Sequence, residues 1–145
     1  MIQDKDFTLR LIRQLTQALE KLLLGKPEES LMQKELDFDS LMKDIFKIDF
    51  KELALKSKEE LIELVNLRES KDHVDYYEML GNVFMFHYRA EEKLDFADKA
   101  KTFYELYLQT SGIFALPIIY RINELQSELN ERCNLMQARV YHRSL

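Results

Sequence analysis

A chain of 145 residues can bury one core without disulfide or metal. Its 46% hydrophobic and 32% charged residues, with three glycines and two prolines, exclude a disordered chain and a strand-rich fold, which would need more turn residues. The net charge of −5 is concentrated over residues 27–112 between mildly basic ends, and there is no Lys/Arg run, which argues against general nucleic-acid binding.

Over residues 7–24, Phe7, Leu11, Leu15, Ala18 and Leu22 recur at helical spacing, with Leu9, Ile12, Leu19 and Leu23 widening the stripe. Asp4 or Asp6 is expected to cap this helix, and Gly25 with Pro27 to stop it. Arg10, Arg13, Gln14, Gln17 and Glu20 interrupt the apolar run, so neither a signal h-region nor a membrane span is expected. The apolar face beside Arg10, Arg13 and Lys21 is expected to close a bundle, the alternative being a membrane surface.

Residues 28–55 read as short helices near 29–36, 40–46 and 51–55, broken at Asp37-Phe38-Asp39-Ser40 and Lys47-Ile48-Asp49-Phe50. Ser57-Lys58-Glu59-Glu60 is a capping box, in which hydroxyl and carboxylate satisfy free N–H groups at a helix start. That helix would bury Leu61, Leu64, Val65 and Leu67. Helices follow from Asp72 to about residue 88 and over 95–109, ending at Gly112. The last opens at Pro117, a favoured first helical position. Ile118, Ile122, Leu125, Leu129, Cys133, Met136 and Val140 then form one stripe.

Cys133 is the only cysteine, which permits no intramolecular disulfide. It is expected in the core, and a cytoplasmic location fits. The nine aromatic residues between Tyr76 and Tyr107 are expected to be mostly core, with some left for a groove or subunit contact. His73, His87 and His142 have no metal-ligand spacing. A calcium loop counted from Asp37 fails at Met42 and Ile48, and no nucleophile elbow or phosphate-cradling glycine loop is present. Neither metal nor cofactor is expected.

Tyr77-x2-Leu80-Gly81-x2-Phe84 resembles the first helix of a tetratricopeptide repeat, with Ala100, Tyr104 and Tyr107 at the corresponding positions of the second helix. Tyr107 is bulkier than that family's small residue, the closing proline is absent, and one copy is visible. The pattern therefore reads as a repeat-like hairpin inside a closed bundle, with Gly81 allowing close helix approach. The resemblance implies partner-binding positions at Asp75, Glu78, Asn82 and Met85, an acidic face for a basic or amphipathic protein segment. Without it, these are ordinary exposed positions of an amphipathic helix. The opening, from Met1-Ile2-Gln3-Asp4 through Arg10-Leu11-Ile12-Arg13-Gln14-Leu15 to Leu22-Leu23-Leu24-Gly25-Lys26, also resembles a family of short bacterial helical proteins of unknown function. That resemblance implies a bacterial cytosolic protein and transfers no functional residue.

The expected fold is a single all-α domain, a bundle of about five to seven helices with long antiparallel hairpins. The expected function is a noncatalytic protein-interaction or adaptor module. Two alternatives stay open: an enzyme or ligand-binding bundle built on His73, His87 and Glu78, and a homo-oligomer joined through the C-terminal helix, where Arg132, Arg139 and Arg143 flank the stripe.

Overall fold

The computed structural model describes the backbone of residues 2–25 and 37–144 and the side chains of residues 6–25 and 37–139. Seven α-helices and no strand occur among the described residues: α1 (Ile2–Leu23), α2 (Phe38–Phe46), α3 (Phe50–Leu55), α4 (Lys58–Asn66), α5 (His73–Glu91), α6 (Leu94–Ser111) and α7 (Leu116–Ser144). The helical bundle expected from periodicity is therefore the observed fold. The piece expected over residues 29–36 lies outside the described residues.

Local chemistry fixes the short helices. Asp37 accepts from the Ser40 N–H at 3.1 Å and Asp49 from the Glu52 N–H at 2.8 Å, so each carboxylate covers a donor left free at a helix start. The Asp39 carboxylate accepts from the Phe50 N–H at 3.2 Å and ties α2 to the start of α3. The Ser57/Glu60 capping box forms in both directions. Gly112, in the left-handed region at φ 67°, stops α6 with its N–H bonded to the Leu108 carbonyl. The helix α1 begins at Ile2, ahead of the expected caps Asp4 and Asp6.

Side-chain pairings give the directions of the long helices. Gly81 meets Tyr104, Phe84 meets Phe96 and His87 meets Phe96, so later residues of α5 pair with earlier ones of α6 and the two are antiparallel. Arg13 reaches Asp75, Asn82 reaches the Thr16 carbonyl and Arg89 the Leu23 carbonyl, a near-constant offset that makes α1 parallel to α5. The first part of α7 packs on the hairpin through Ile118 and Leu125, both buried. Lys99 of α6, with 3% of its side chain exposed, donates to the Ala54 carbonyl at 2.7 Å and to Asp95 at 2.6 Å, fastening α3 to α6.

In α1 the core residues are Ile12, Leu15, Leu19 and Leu23, so the buried face is turned from the centre of the predicted stripe: Phe7 is 54% exposed and Leu11, Ala18 and Leu22 are half-buried. That face packs in the bundle. Of the nine aromatic residues between Tyr76 and Tyr107, all except half-buried Phe86 are buried. Three further expectations fail. Leu67 is 81% exposed, because α4 ends at Asn66 and the chain turns away before that side chain can face inward. Leu64 is only half-buried. Cys133 is exposed, because the stripe of α7 continues beyond the end of the bundle.

Candidate functional site

A polar network crosses the middle of the core. Arg121 of α7 grips Glu20 of α1 through two hydrogen bonds, Nη1 to Oε1 at 2.8 Å and Nη2 to Oε2 at 2.6 Å. Fork-to-fork pairing of this kind fixes orientation as well as charge. Arg121 also reaches the Asn82 side-chain oxygen at 3.4 Å and lies over the Tyr104 ring at 5.8 Å. The Tyr104 hydroxyl donates to the same Asn82 oxygen at 2.7 Å, while the Asn82 amide donates to the Thr16 carbonyl at 3.1 Å. Four helices are thereby joined at one point.

Electrostatics match that geometry. Burial pushes the Tyr104 phenol far above its ordinary pKa, which keeps it protonated as a donor. Burial is the largest influence on Arg121 and works against its charge, yet Glu20 and Tyr104 together outweigh it and hold the guanidinium above its usual value. The arrangement is chemically quiet, because each strong group has a partner that satisfies its charge or proton. Gly81 makes room for it, since a Cβ there would stand 2.5 Å from the Tyr104 ring.

The four predicted partner-binding residues lie on one stripe of α5, and α1 covers much of it. The spacing 75, 78, 82, 85, 89 defines that face, and α1 bonds to it at Asp75, Asn82 and Arg89. Asn82 and Met85 are fully buried, so they belong to the core and present nothing to a partner. Asp75 and Glu78 keep part of their surface. Asp75 pairs with Arg13 at 3.3 Å, and burial, then Glu20 and Asp75, raise the Glu78 carboxyl above its usual range.

His73, Glu78 and His87 are not brought together. Fourteen residues of helix separate the two histidines, a rise of about 21 Å. His73 bonds to the Arg68 carbonyl at 2.9 Å. His87 is stacked on Phe50 at 3.9 Å and edge-on to Phe38 at 4.6 Å, and its Nδ1 donates to the Val83 carbonyl at 2.8 Å. Burial lowers its pKa and favours the neutral ring. Among the described residues no group of three or more His, Cys, Asp or Glu is placed to hold a metal ion. No helix among them is long and apolar enough to cross a membrane.

The exposed apolar surface lies elsewhere. The α6–α7 connection presents Ile113, Phe114, Leu116 and Tyr120, with Phe114 77% and Tyr120 65% exposed. Tyr120 also lines a recess of about 250 Å³ with Leu23, Leu24 and Pro117, rimmed by Arg89, Arg121 and Glu124. The rim is neutral overall: Arg89 pairs with Glu124 at 3.5 Å, and Arg121 with Glu20. A second apolar stretch, Leu135 and Met136, lies on the outer half of α7.

Sequence reasoning missed both the network and this ridge. Arg121 had a signal, for it falls between Ile118 and Leu125 on the apolar side of α7, where a charge needs a partner. The ridge also had one: Ile113-Phe114 follows a helix-ending glycine, outside any helical stripe that would bury it.

Compared with known proteins, the chain matches no protein-family model, and neither a curated protein nor a solved structure is significantly similar to it.

Proposed function

We propose that this chain is a noncatalytic protein-interaction domain whose contact surface is the apolar ridge at the α6–α7 connection, and whose partner presents an amphipathic helix. The observation that carries this reading is the run of exposed Ile113, Phe114, Leu116 and Tyr120 beside a recess floored by Leu23, Leu24 and Pro117. Consecutive large apolar side chains in water mark contact sites more often than isolated ones do. The recess is roughly the size of one large side chain, and its charged rim is already paired within the chain. An apolar anchor on a partner helix fits such a site better than a charged one.

The test is to place a photo-crosslinking amino acid at Phe114, or at exposed Gln126 as control, in the native cell. A discrete adduct from position 114 alone is expected. The partner so identified, once purified, should lose at least about tenfold in affinity toward a Phe114→Glu, Tyr120→Glu variant. No adduct, or equal affinity for the variant, overturns the reading.

A further inference from the structure

Two sets of N–H donors border the recess beside the ridge. One belongs to α7, which starts at Leu116 and presents Pro117 to the recess. Its first backbone bond runs from the Ile119 N–H to the Ala115 carbonyl at 3.0 Å. The N–H groups of Leu116 and of buried Ile118 have no acceptor among the described residues, and the first turn carries no acidic residue. A helix start left in this state is partially positive and favours an oxygen laid against it. The second set is on Arg121, whose side chain is 5% exposed and borders the same recess. A guanidinium has five N–H donors. Glu20 takes two and Asn82 one, all from Nη1 and Nη2, which leaves the Nε edge open. Even with one more donor assigned to the Tyr104 hydroxyl, which also supports the charge, an N–H of Arg121 stays unmatched among the described residues. At that depth an unmet donor is costly.

Both sets call for oxygen, and the charge balance says which kind. Arg121 is matched by Glu20 and Arg89 by Glu124, so no net charge remains to hold an anion, while Leu23 and Leu24 offer an apolar floor. A neutral acceptor next to an apolar side chain fits this combination. The last turn of a helix supplies both, since its final carbonyls lack partners and carry partial negative charge. We infer that the partner's helix enters the recess by its C-terminal turn, with an apolar side chain on Leu23 and Leu24 and its free carbonyl oxygens accepting from Arg121 and from the start of α7. The two helix dipoles then meet head to tail, whereas entry by an N-terminal turn would set two positive ends together. This inference rests on the ridge being the contact surface, and it adds the direction from which the partner arrives.

The test is an NMR titration of the full chain that follows the Arg121 Nε–H and Ile118 N–H signals. The probes are two lactam-bridged helical peptides of equal composition with amidated C-termini, one carrying its leucine in the last turn and the other in the first. The last-turn peptide should move both N–H signals downfield and saturably, and the first-turn peptide should bind at least about tenfold more weakly. Equal binding of the two peptides overturns the inference, as does the absence of any shift. Acetate alone producing the same N–H shifts would make this an anion site and overturn it too. Shifts of the Leu23 and Leu24 methyl groups with both N–H signals unmoved would leave an apolar contact only, which also overturns it. None of these failures touches the adduct expected from position 114, so this inference and the reading of the ridge fall separately.

Discussion

The inner and outer halves of α7 carry the same pattern and meet different surroundings. Leu125 is wholly buried under the bundle, while Met136, eleven residues on and on the same face, is 59% exposed. Eleven residues are close to three full turns, so the two side chains point almost the same way. The periodicity that places both on one stripe says that the stripe is apolar. It does not say where the body that covers it ends. That boundary is set by other residues: Glu92 closes α5 in the left-handed region at φ 55°, and the body stops where Arg132 meets its carbonyl.

Substitutions can sharpen this contrast. The largest effect is expected in the body, where Leu125→Ala should cost about 2–5 kcal/mol by opening a cavity, measured by urea unfolding. Gly81→Ala should cost about 3 kcal/mol, since the added methyl overlaps the Tyr104 ring, itself fully buried and held by Asn82. The ion pair should respond unequally to loss of either partner. Glu20→Ala leaves Arg121, 5% exposed, without its carboxylate and should cost about 3 kcal/mol. Arg121→Met should cost less, because Glu20 is 30% exposed and water can reach it. Equal costs for the two variants would show that the pair is not asymmetrically buried.

A smaller effect is expected from His87. Its folded pKa is lowered, chiefly by burial, so the neutral ring stabilises the fold fully above the unfolded value of ~6.5. That contribution is lost as pH falls from there through the folded pKa. Unfolding free energies measured between about pH 7 and pH 5 should therefore fall less steeply in His87→Phe than in the wild type. The smallest effect belongs to the outer half of α7, where Met136→Ser should change stability by no more than about 0.5 kcal/mol.

Much of the fold was legible because helix-forming information is local. The Ser57/Glu60 box, the Gly112 stop and the α1 helix each need only a few neighbouring residues, and each stands where the spacing puts it. What failed was nonlocal. Asn82 and Met85 look like surface positions of an amphipathic helix until α1 is laid against them, and α1 lies more than sixty residues away in the chain. Cys133 failed in the opposite sense, standing on a stripe that reads as core but outruns its cover. The close approach at Gly81 was legible because a glycine between large apolar neighbours on a helix has a steric meaning of its own. The polar partners around it were not, since Glu20 and Arg121 are 101 residues apart.

The account rests on α7 being one helix whose inner half the bundle covers and whose outer half it leaves exposed. Amide hydrogen exchange measures this along the helix. Protection over residues 118–129 should be high, while protection over residues 133–139 should be low. Equal protection across both stretches would contradict it.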